Sequence, residues 1–293
     1  MDFGPYLFLA SLEGLVTAAV LALTALGLSL VFGVMRIVNV AHGEFFMLGA
    51  VLAWWFASLV SGSPALGFLI ALLLSPLVVG AVALLCERTV LKRIDYNPEA
   101  TIVATIGLLY IIQQLALTFY GPDARPVQAP INFRIVFPWF GYSGYKLVVI
   151  GVSILLLLAT WFVLTRTRLG LIMRATQYDR ETAQAFAIPV DKVYAAVFAI
   201  GAMLAATAAV LIVPIQQAHY LMGLDPLLLS FIVVIIGGLG SILGTVVAAL
   251  IIGLSDGIIS VFFSPTLAKI LATLLVAFVL VIRPQGLFGT AQR

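Results

Sequence analysis

Long uninterrupted apolar runs constrain this chain more tightly than any other feature. A helix needs about 20 residues to cross about 30 Å of hydrocarbon. About eight or nine runs near that length emerge, at roughly 7–33, 44–61, 66–86, 100–120, 147–165, 193–213, 227–239, 242–261 and 266–282. Charged or turn residues bound them. In lipid every backbone polar group must be paired internally, and the runs lack the alternation of barrel strands. The expected fold class is therefore all-α: a polytopic α-helical membrane protein with one transmembrane domain over 1–293. Composition agrees, since 63% of residues are hydrophobic and 9% are charged, against roughly 25% charged in a soluble domain.

The run at 227–239 is short, about 20 Å at about 1.5 Å per residue. It reads as a half-span or a helix broken at Gly237, Gly238 and Gly240. Basic residues next to the spans set the orientation, because Lys and Arg stay on the cytoplasmic side. One set of ends carries eleven: Arg36, Arg88, Lys92, Arg93, Arg166, Arg168, Arg174, Arg180, Lys192, Arg283 and Arg293. The other carries four: Arg125, Arg134, Lys146 and Lys269. This places the C-terminus inside and, with an odd number of crossings, the N-terminus outside. The first run is expected to stay as a helix, because the stretch before it carries Asp2 and no basic residue, unlike a cleavable signal.

Met47–Ala53 (MLGAVLA) and Ile242–Ala248 (ILGTVVA) read alike at an offset of 195, with Gly43 to Gly49 spaced like Gly238 to Gly244. On this topology the two stretches run the same way, a weak parallel internal repeat of the kind that places a solute path between halves. Helix packing through small residues produces the same pattern.

Arg36, Asn39, His42 and Glu44 form the densest polar group among the apolar runs. An ionisable residue in lipid is costly and points to function. A metal or hydrolase site lacks its partners, since His219 is the only other histidine and no HExxH or GxSxG occurs. A solute path lined by a broken segment remains, as does a structural turn in which Arg36 snorkels while Asn39, Gly43 and Glu44 cap two helices. The candidate path residues are Asn39, His42, Gly43 and Glu44, with Gly237, Gly238, Gly240 and Ser241 from the glycine-rich stretch. No catalytic residue and no metal ligand set is assigned.

Glu13 falls near the outer interface, and Asp256 and Lys269 flank the turn at Ser264-Pro265, where an exposed ion pair is expected. Gln113 and Gln114 lie within a span and suit interhelical hydrogen bonding or a polar lining. The loop 121–146 holds Pro122, Pro126, Pro130 and Pro138 among six aromatics, a composition that prevents a long helix and fits an interface belt.

The inner loop 166–192 is polar yet periodic. Tyr178, Thr182, Ala185 and Phe186 fall on one face of a short amphipathic helix, stopped by Pro189, with Asp191 able to cap the next span. Such a helix needs a surface to pack against, either the underside of the bundle or another protein.

Four segments carry a family resemblance: GLSLVFGVMRIVNVAHGEFFMLGA (27–50), RLGLIMRATQYDRETAQAFAIPVDKVYAAVFAIGAMLAA (168–206), IIGGLGSILGTVVAALIIG (235–253) and VIRPQGLFG (281–289). With the helix spacing between them they cover nearly the whole chain. The chain resembles the LivH-type permease subunit of branched-chain amino-acid ABC transporters. The resemblance implies a prokaryotic inner-membrane importer subunit in membrane lipid. Its partners would be a second, LivM-like permease chain, two cytoplasmic ATPases carrying ATP and Mg, and an external substrate-binding protein. It also makes 166–192 the ATPase-coupling loop, with Arg174, Asp179, Glu181, Ala183, Phe186, Ala187 and Ile188 as its coupling residues. Here the motif reads Glu181-Thr182-Ala183, and Ala187 stands where the family usually has glycine.

No GxxxxGK[ST] occurs, so ATP belongs to a partner, and this chain is expected to bind no cofactor and no nucleic acid. Relatives that import urea or short amides share these features. An ion-coupled secondary transporter using Glu44, Glu13 or Asp256 is the reading from another class.

Overall fold

The computed structural model describes residues 3–60, 62–283 and 285–289; Asp2, Pro284 and Arg293 lie outside them. Among the described residues, seven helices are long and apolar enough to cross a membrane. They are α1 (Phe3–Met35), α3 (Pro64–Cys86, continued by single turns to Ile94), α4 (Pro98–Tyr120), α5 (Gly144–Arg166), α8 (Val190–Ile212), α10 (Ile242–Phe262) and α11 (Pro265–Ile282). The other two apolar runs form shorter helices, α2 (His42–Ser58, 17 residues) and α9 (Leu224–Gly237, 14 residues). Between α5 and α8 lie α6 (Arg168–Tyr178) and α7 (Arg180–Ala185).

Helix starts follow from local chemistry. Ser63, Asn97 and Ser264 each precede a proline, and their side chains accept hydrogen bonds from the backbone N–H groups of Leu66, Ala100 and Leu267. Proline at the first helical position lacks only an N–H that would have no helical partner there.

Helix α1 is the mast of the bundle, buried almost continuously from Val16 to Met35. It runs antiparallel to α10: Gly14 lies on Gly253, Leu254 and Gly257, Ser29 meets Thr245 at 3.0 Å, and Gly33 lies on Gly240. It crosses α8 where Gly27 meets Gly201. Helix α2 runs alongside α8 in the same direction, Phe45 against Phe198 and Gly49 against Ala206. The residues with most of the basic charge collect at one end, where Lys92 pairs with Asp191 at 2.9 Å. We call this the basic end. Glu13 and Lys146, 2.6 Å apart, mark the opposite end.

The loop after α4 holds no helix, in keeping with its prolines, and within it β1 (Arg134–Val136) and β2 (Gly141–Ser143) pair as an antiparallel ribbon. Its Phe137 and Phe140 pack on Phe8. Several local expectations are corrected. Lys269 pairs with Asp225 at 2.6 Å and not with Asp256, because α9 begins beside α11. Asp191 does not cap α8, whose N-cap is Pro189; it turns to Lys92. Among the described residues no hydrogen bond uses the side chain of Gln113 or Gln114; Gln114 accepts only through its backbone carbonyl, from the Thr118 hydroxyl at 2.8 Å, and is exposed. The aligned stretches differ in setting: Gly43 lies in the first turn of α2, whereas Gly238 sits in the connector before α10 with φ +100°.

Backbones in contact leave no room for a side chain. A methyl at Gly27 would run into the Gly201 carbonyl, whereas one at Gly107 of α4 meets nothing within 4 Å. Gly27→Ala should destabilise the detergent-solubilised protein by about 1–3 kcal/mol through overpacking. Gly107→Ala should be neutral or stabilising by up to about 1 kcal/mol. Thermal unfolding of the two variants side by side checks this, and equal losses would contradict the helix crossing.

Candidate translocation site

The chain leaves α1 in an unusual way. Arg36 takes φ +55°, left-handed for a residue with a Cβ, and turns the backbone away from the α1 axis. Residues 36–41 then climb back beside α1, so that α2 starts at the depth of Thr24, between the Glu13 and Gly33 ends of the mast. The His42 Nε2–H donates to the Thr24 carbonyl at 2.9 Å, which assigns the tautomer and leaves Nδ1 as an acceptor. The Asn39 side-chain oxygen accepts from the Ala41 N–H at 3.1 Å, and the Val40 N–H donates to the Thr105 hydroxyl of α4 at 3.2 Å.

Gly43 then touches the backbone of Gly223, the residue that opens α9, and a Cβ on either would strike the other's carbonyl oxygen. The first turns of α2 and α9 therefore meet within the membrane, with α2 leaving toward the Glu13 end and α9 toward the basic end. At the α2 start the His42 and Glu44 N–H groups donate to the carbonyls of Asn39 and Ala41, and each helix start carries a partial positive charge. Asn39, His42 and Glu44 are at most 1% exposed, yet Asn39 Nδ2, His42 Nδ1 and Glu44 Oε2 have no hydrogen-bond partner. None of the ion pairs among the described residues involves Glu44. On α9 the Ser230 hydroxyl is buried and unpaired as well. A buried polar group left unpaired is costly, and several gathered at one place mark a site.

The expected path residues separate into two places. Asn39, His42, Gly43 and Glu44 stand at the α2–α9 meeting point. Gly237, Gly238, Gly240 and Ser241 stand at the basic end, one length of α9 away, about 21 Å. There the helix ends at Gly237, and Gly238 and Gly240 are left-handed, with φ +100° and +78°. The N–H groups of Leu287 and Phe288 pair with the carbonyls of Ile236 and Gly237. Ser241 caps α10 by accepting from the Gly244 N–H at 3.1 Å. Gly223 was not among the expected residues, because the apolar pattern starts three residues after the helix does. The only hint is a glycine directly before Leu-Asp-Pro.

The inner loop forms two helices and not one, because Asp179 has extended geometry and caps α7. Its carboxylate accepts from the N–H groups of Glu181 and Thr182 and from the Thr182 hydroxyl at 2.5 Å. These bonds, the hydroxyl first, hold the Asp179 carboxyl below its usual range. The cap is therefore intact at neutral pH and is lost only as pH falls through that lowered value. At the far end Ala187 is left-handed, φ +59°. The Ile188 N–H bonds Ala183 O at 3.1 Å and the Ala187 N–H bonds Gln184 O at 2.9 Å, a Schellman closure that glycine usually makes.

Among the expected coupling residues, Arg174, Asp179, Glu181, Phe186 and Ala187 are exposed, whereas Ala183 is buried against the bundle and Ile188 half-buried. Arg174 reaches back to the Thr165 carbonyl at the end of α5. Tyr178 and Phe186, 92% and 79% exposed, stand out from the two ends of α7. Arg180 holds the helix to the bundle, lying over the rings of Tyr194 and Tyr96 at 5.5 and 6.0 Å. The Tyr96 hydroxyl donates to the buried Glu87 at 2.5 Å, and burial and that carboxylate push its pKa well up.

A helical bundle with two part-length helices meeting in its interior, and a helix pair at its basic end, is an architecture suited to a membrane permease. The family profile described as branched-chain amino acid transport system / permease component matches residues 10–280. This chain belongs to that family. It is 29% identical to the high-affinity branched-chain amino acid transport system permease protein BraD of Pseudomonas aeruginosa, over 94% of both chains. LivH of Escherichia coli K12 is 27% identical over 94% of both chains. The probable LivH of Methanocaldococcus jannaschii is 27% identical over 95% of this chain and 91% of its own. The fold also resembles PsaBC from Streptococcus pneumoniae in complex with Fab, with a TM-score of 0.51 at 14% identity over 93% of this chain and 91% of that one.

A Cβ in the left-handed region costs about 1 kcal/mol. Ala187→Gly should release that strain and slow amide exchange at Ala187 and Ile188 about fivefold, the factor that 1 kcal/mol supplies. Hydrogen exchange with mass readout checks it; faster exchange would contradict the closure.

Proposed function

We propose that the chain is the LivH-type permease subunit of an ABC importer that carries branched-chain amino acids across a prokaryotic inner membrane. The observation that carries this reading is the meeting of α2 and α9 beside buried Asn39, His42 and Glu44, in a member of the branched-chain permease family. An amino acid presents a carboxylate and an ammonium group a few ångströms apart. The partial positive charge at the two helix starts suits the carboxylate, and the free oxygen of Glu44 and Nδ1 of His42 suit the ammonium. The polar cluster recognises the backbone common to these substrates, and the apolar side chain falls to the surrounding helices.

In this reading the basic end faces the cytoplasm, following the charge bias, and the N-terminus lies outside. Helices α6 and α7 form the coupling loop, with Tyr178 and Phe186 entering a groove on an ATPase; exposed aromatics of this size mark protein contact surfaces. ATP and Mg reside on two such ATPases, a second LivM-like permease completes the path, and an external binding protein delivers substrate. ATPase closure moves the coupling loop, and the binding site changes the side to which it opens.

Two measurements test the reading. In proteoliposomes holding the co-expressed complex, ATP-driven uptake of labelled leucine should fall about 10- to 100-fold in Glu44→Gln and in Asn39→Ala, the loss of a charge-assisted or buried hydrogen bond. Wild-type uptake in both would remove the site. A cysteine at Tyr178 should react with a membrane-impermeant thiol reagent from the cytoplasmic side only, against the low background of buried Cys86; labelling from outside would reverse the orientation.

A further inference from the structure

The junction between α6 and α7 is fastened to the bundle at two separate places. Gln177, in the last turn of α6, lays its side-chain amide in a notch between Gly33 of α1 and Gly240 of the α9–α10 connector. A Cβ at Gly240 would sit 3.1 Å from Gln177 Nε2, and one at Gly33 3.4 Å from it. The two glycines also touch each other, since a Cβ on either lies 2.9 Å from the other's Cα. The Gln177 carbonyl accepts from Arg36 Nη2 at 3.3 Å, on the first residue after α1. Three residues further on, Arg180 is held over Tyr194 of α8 and over Tyr96, and lies 3.6 Å from Asp95. Asp179 breaks the helix between these two fastenings.

The two fastenings reach different elements of the bundle. The Arg180 contacts lie on α8 and on the turn after α3, both packed in the large apolar core around α2 and α8. The notch lies where α1 meets the end of α9: its Gly33 wall is flanked by Val31, Val34 and Met35 of that same large core, whereas Val233, Val234 and Ile236 of α9 pack in a second core with α10. The connector beyond α9 carries two left-handed glycines, Gly238 and Gly240, and glycine there turns at little cost. Helix α9 is an uninterrupted rod of 14 residues from that connector to Gly223, which touches Gly43.

We propose that Gln177 is the positioning residue that transmits displacement of the cytoplasmic helix pair to α9 and so to the α2–α9 meeting point. Movement of α7 on its Arg180 anchor levers Gln177 in the glycine notch. The connector yields at Gly238 and Gly240, and α9 shifts its far end against Gly43. This rests on the reading of α6–α7 as the ATPase-docking face, and the test below tells failure of the one from failure of the other.

The test measures ATP hydrolysis and leucine uptake in the same proteoliposomes of the complete complex, with substrate-loaded binding protein. Gln177→Ala should leave the ATPase bound in co-purification and hydrolysing, but lower leucine transported per ATP about tenfold, within the range usual for coupling between sites. Gln177→Met, of similar length without the amide, should restore most of the ratio, since the contact is one of shape. Gly240→Ala, which crowds the notch from the other wall, should lower it again, and keeps the proposal testable if Gln177→Ala fails to assemble. A wild-type ratio in Gln177→Ala or in Gly240→Ala overturns the proposal. Phe186→Asp that still retains the ATPase overturns the docking reading instead.

Discussion

Close backbone approach along α1 is the constraint from which the rest of this structure follows. Lipid tails are as apolar as leucine, so burying leucine against leucine in a membrane gains little, and helices associate through tight packing and a few polar contacts. Along α1 the close approaches fall at small residues: Gly14 on Gly257, Ala18 on Gly253, Gly27 on Gly201 and Gly33 on Gly240. Larger side chains at these positions would hold α8 and α10 away from the mast. Without that proximity α2 and α9 would not be brought together, and the basic end would lose the notch that receives Gln177.

Most of the architecture was legible because run length in lipid is a direct physical requirement. The nine apolar runs correspond to seven long helices and the two shorter ones, α2 and α9. The break at Gly237, Gly238 and Gly240 was legible for a similar reason, since consecutive glycines both interrupt a helix and admit positive φ. Hydropathy is blind to depth, however. Run length reveals a crossing but not that residues 36–41 retrace part of α1, so the start of α2 inside the membrane had no signal beyond its polarity.

The same blindness explains the site. Asn39, His42 and Glu44 stood out because polar groups among apolar runs are expensive, and the structure buries them. Their partner Gly223 carried no such mark, since a glycine before an apolar helix is ordinary. The glycine-rich stretch was placed with them by repeat alignment, but similarity of pattern does not imply proximity in space. The inner loop shows a related limit: a 3.6-residue period runs through Asp179 without a seam, yet local hydrogen bonding from Thr182 and Glu181 to its carboxylate stops one helix and starts another.

The separation of the two glycine-linked places is itself informative. A binding site that must open alternately to two sides needs an element that reaches it from the side where energy is supplied. Helix α9 meets that need because it stops short: a full span would be fixed by lipid and neighbours at both ends, whereas a rod of 14 residues ends at the site on one side and at a left-handed glycine connector on the other. Its open carbonyls at the basic end are paired by Leu287 and Phe288, so the joint is satisfied in hydrogen bonding without continuing the helix. A shortened helix costs packing area. The unpaired side-chain atoms of Asn39, His42 and Glu44 gather where the N-terminal ends of α2 and α9 meet, which is where a ligand with both charges would complete them.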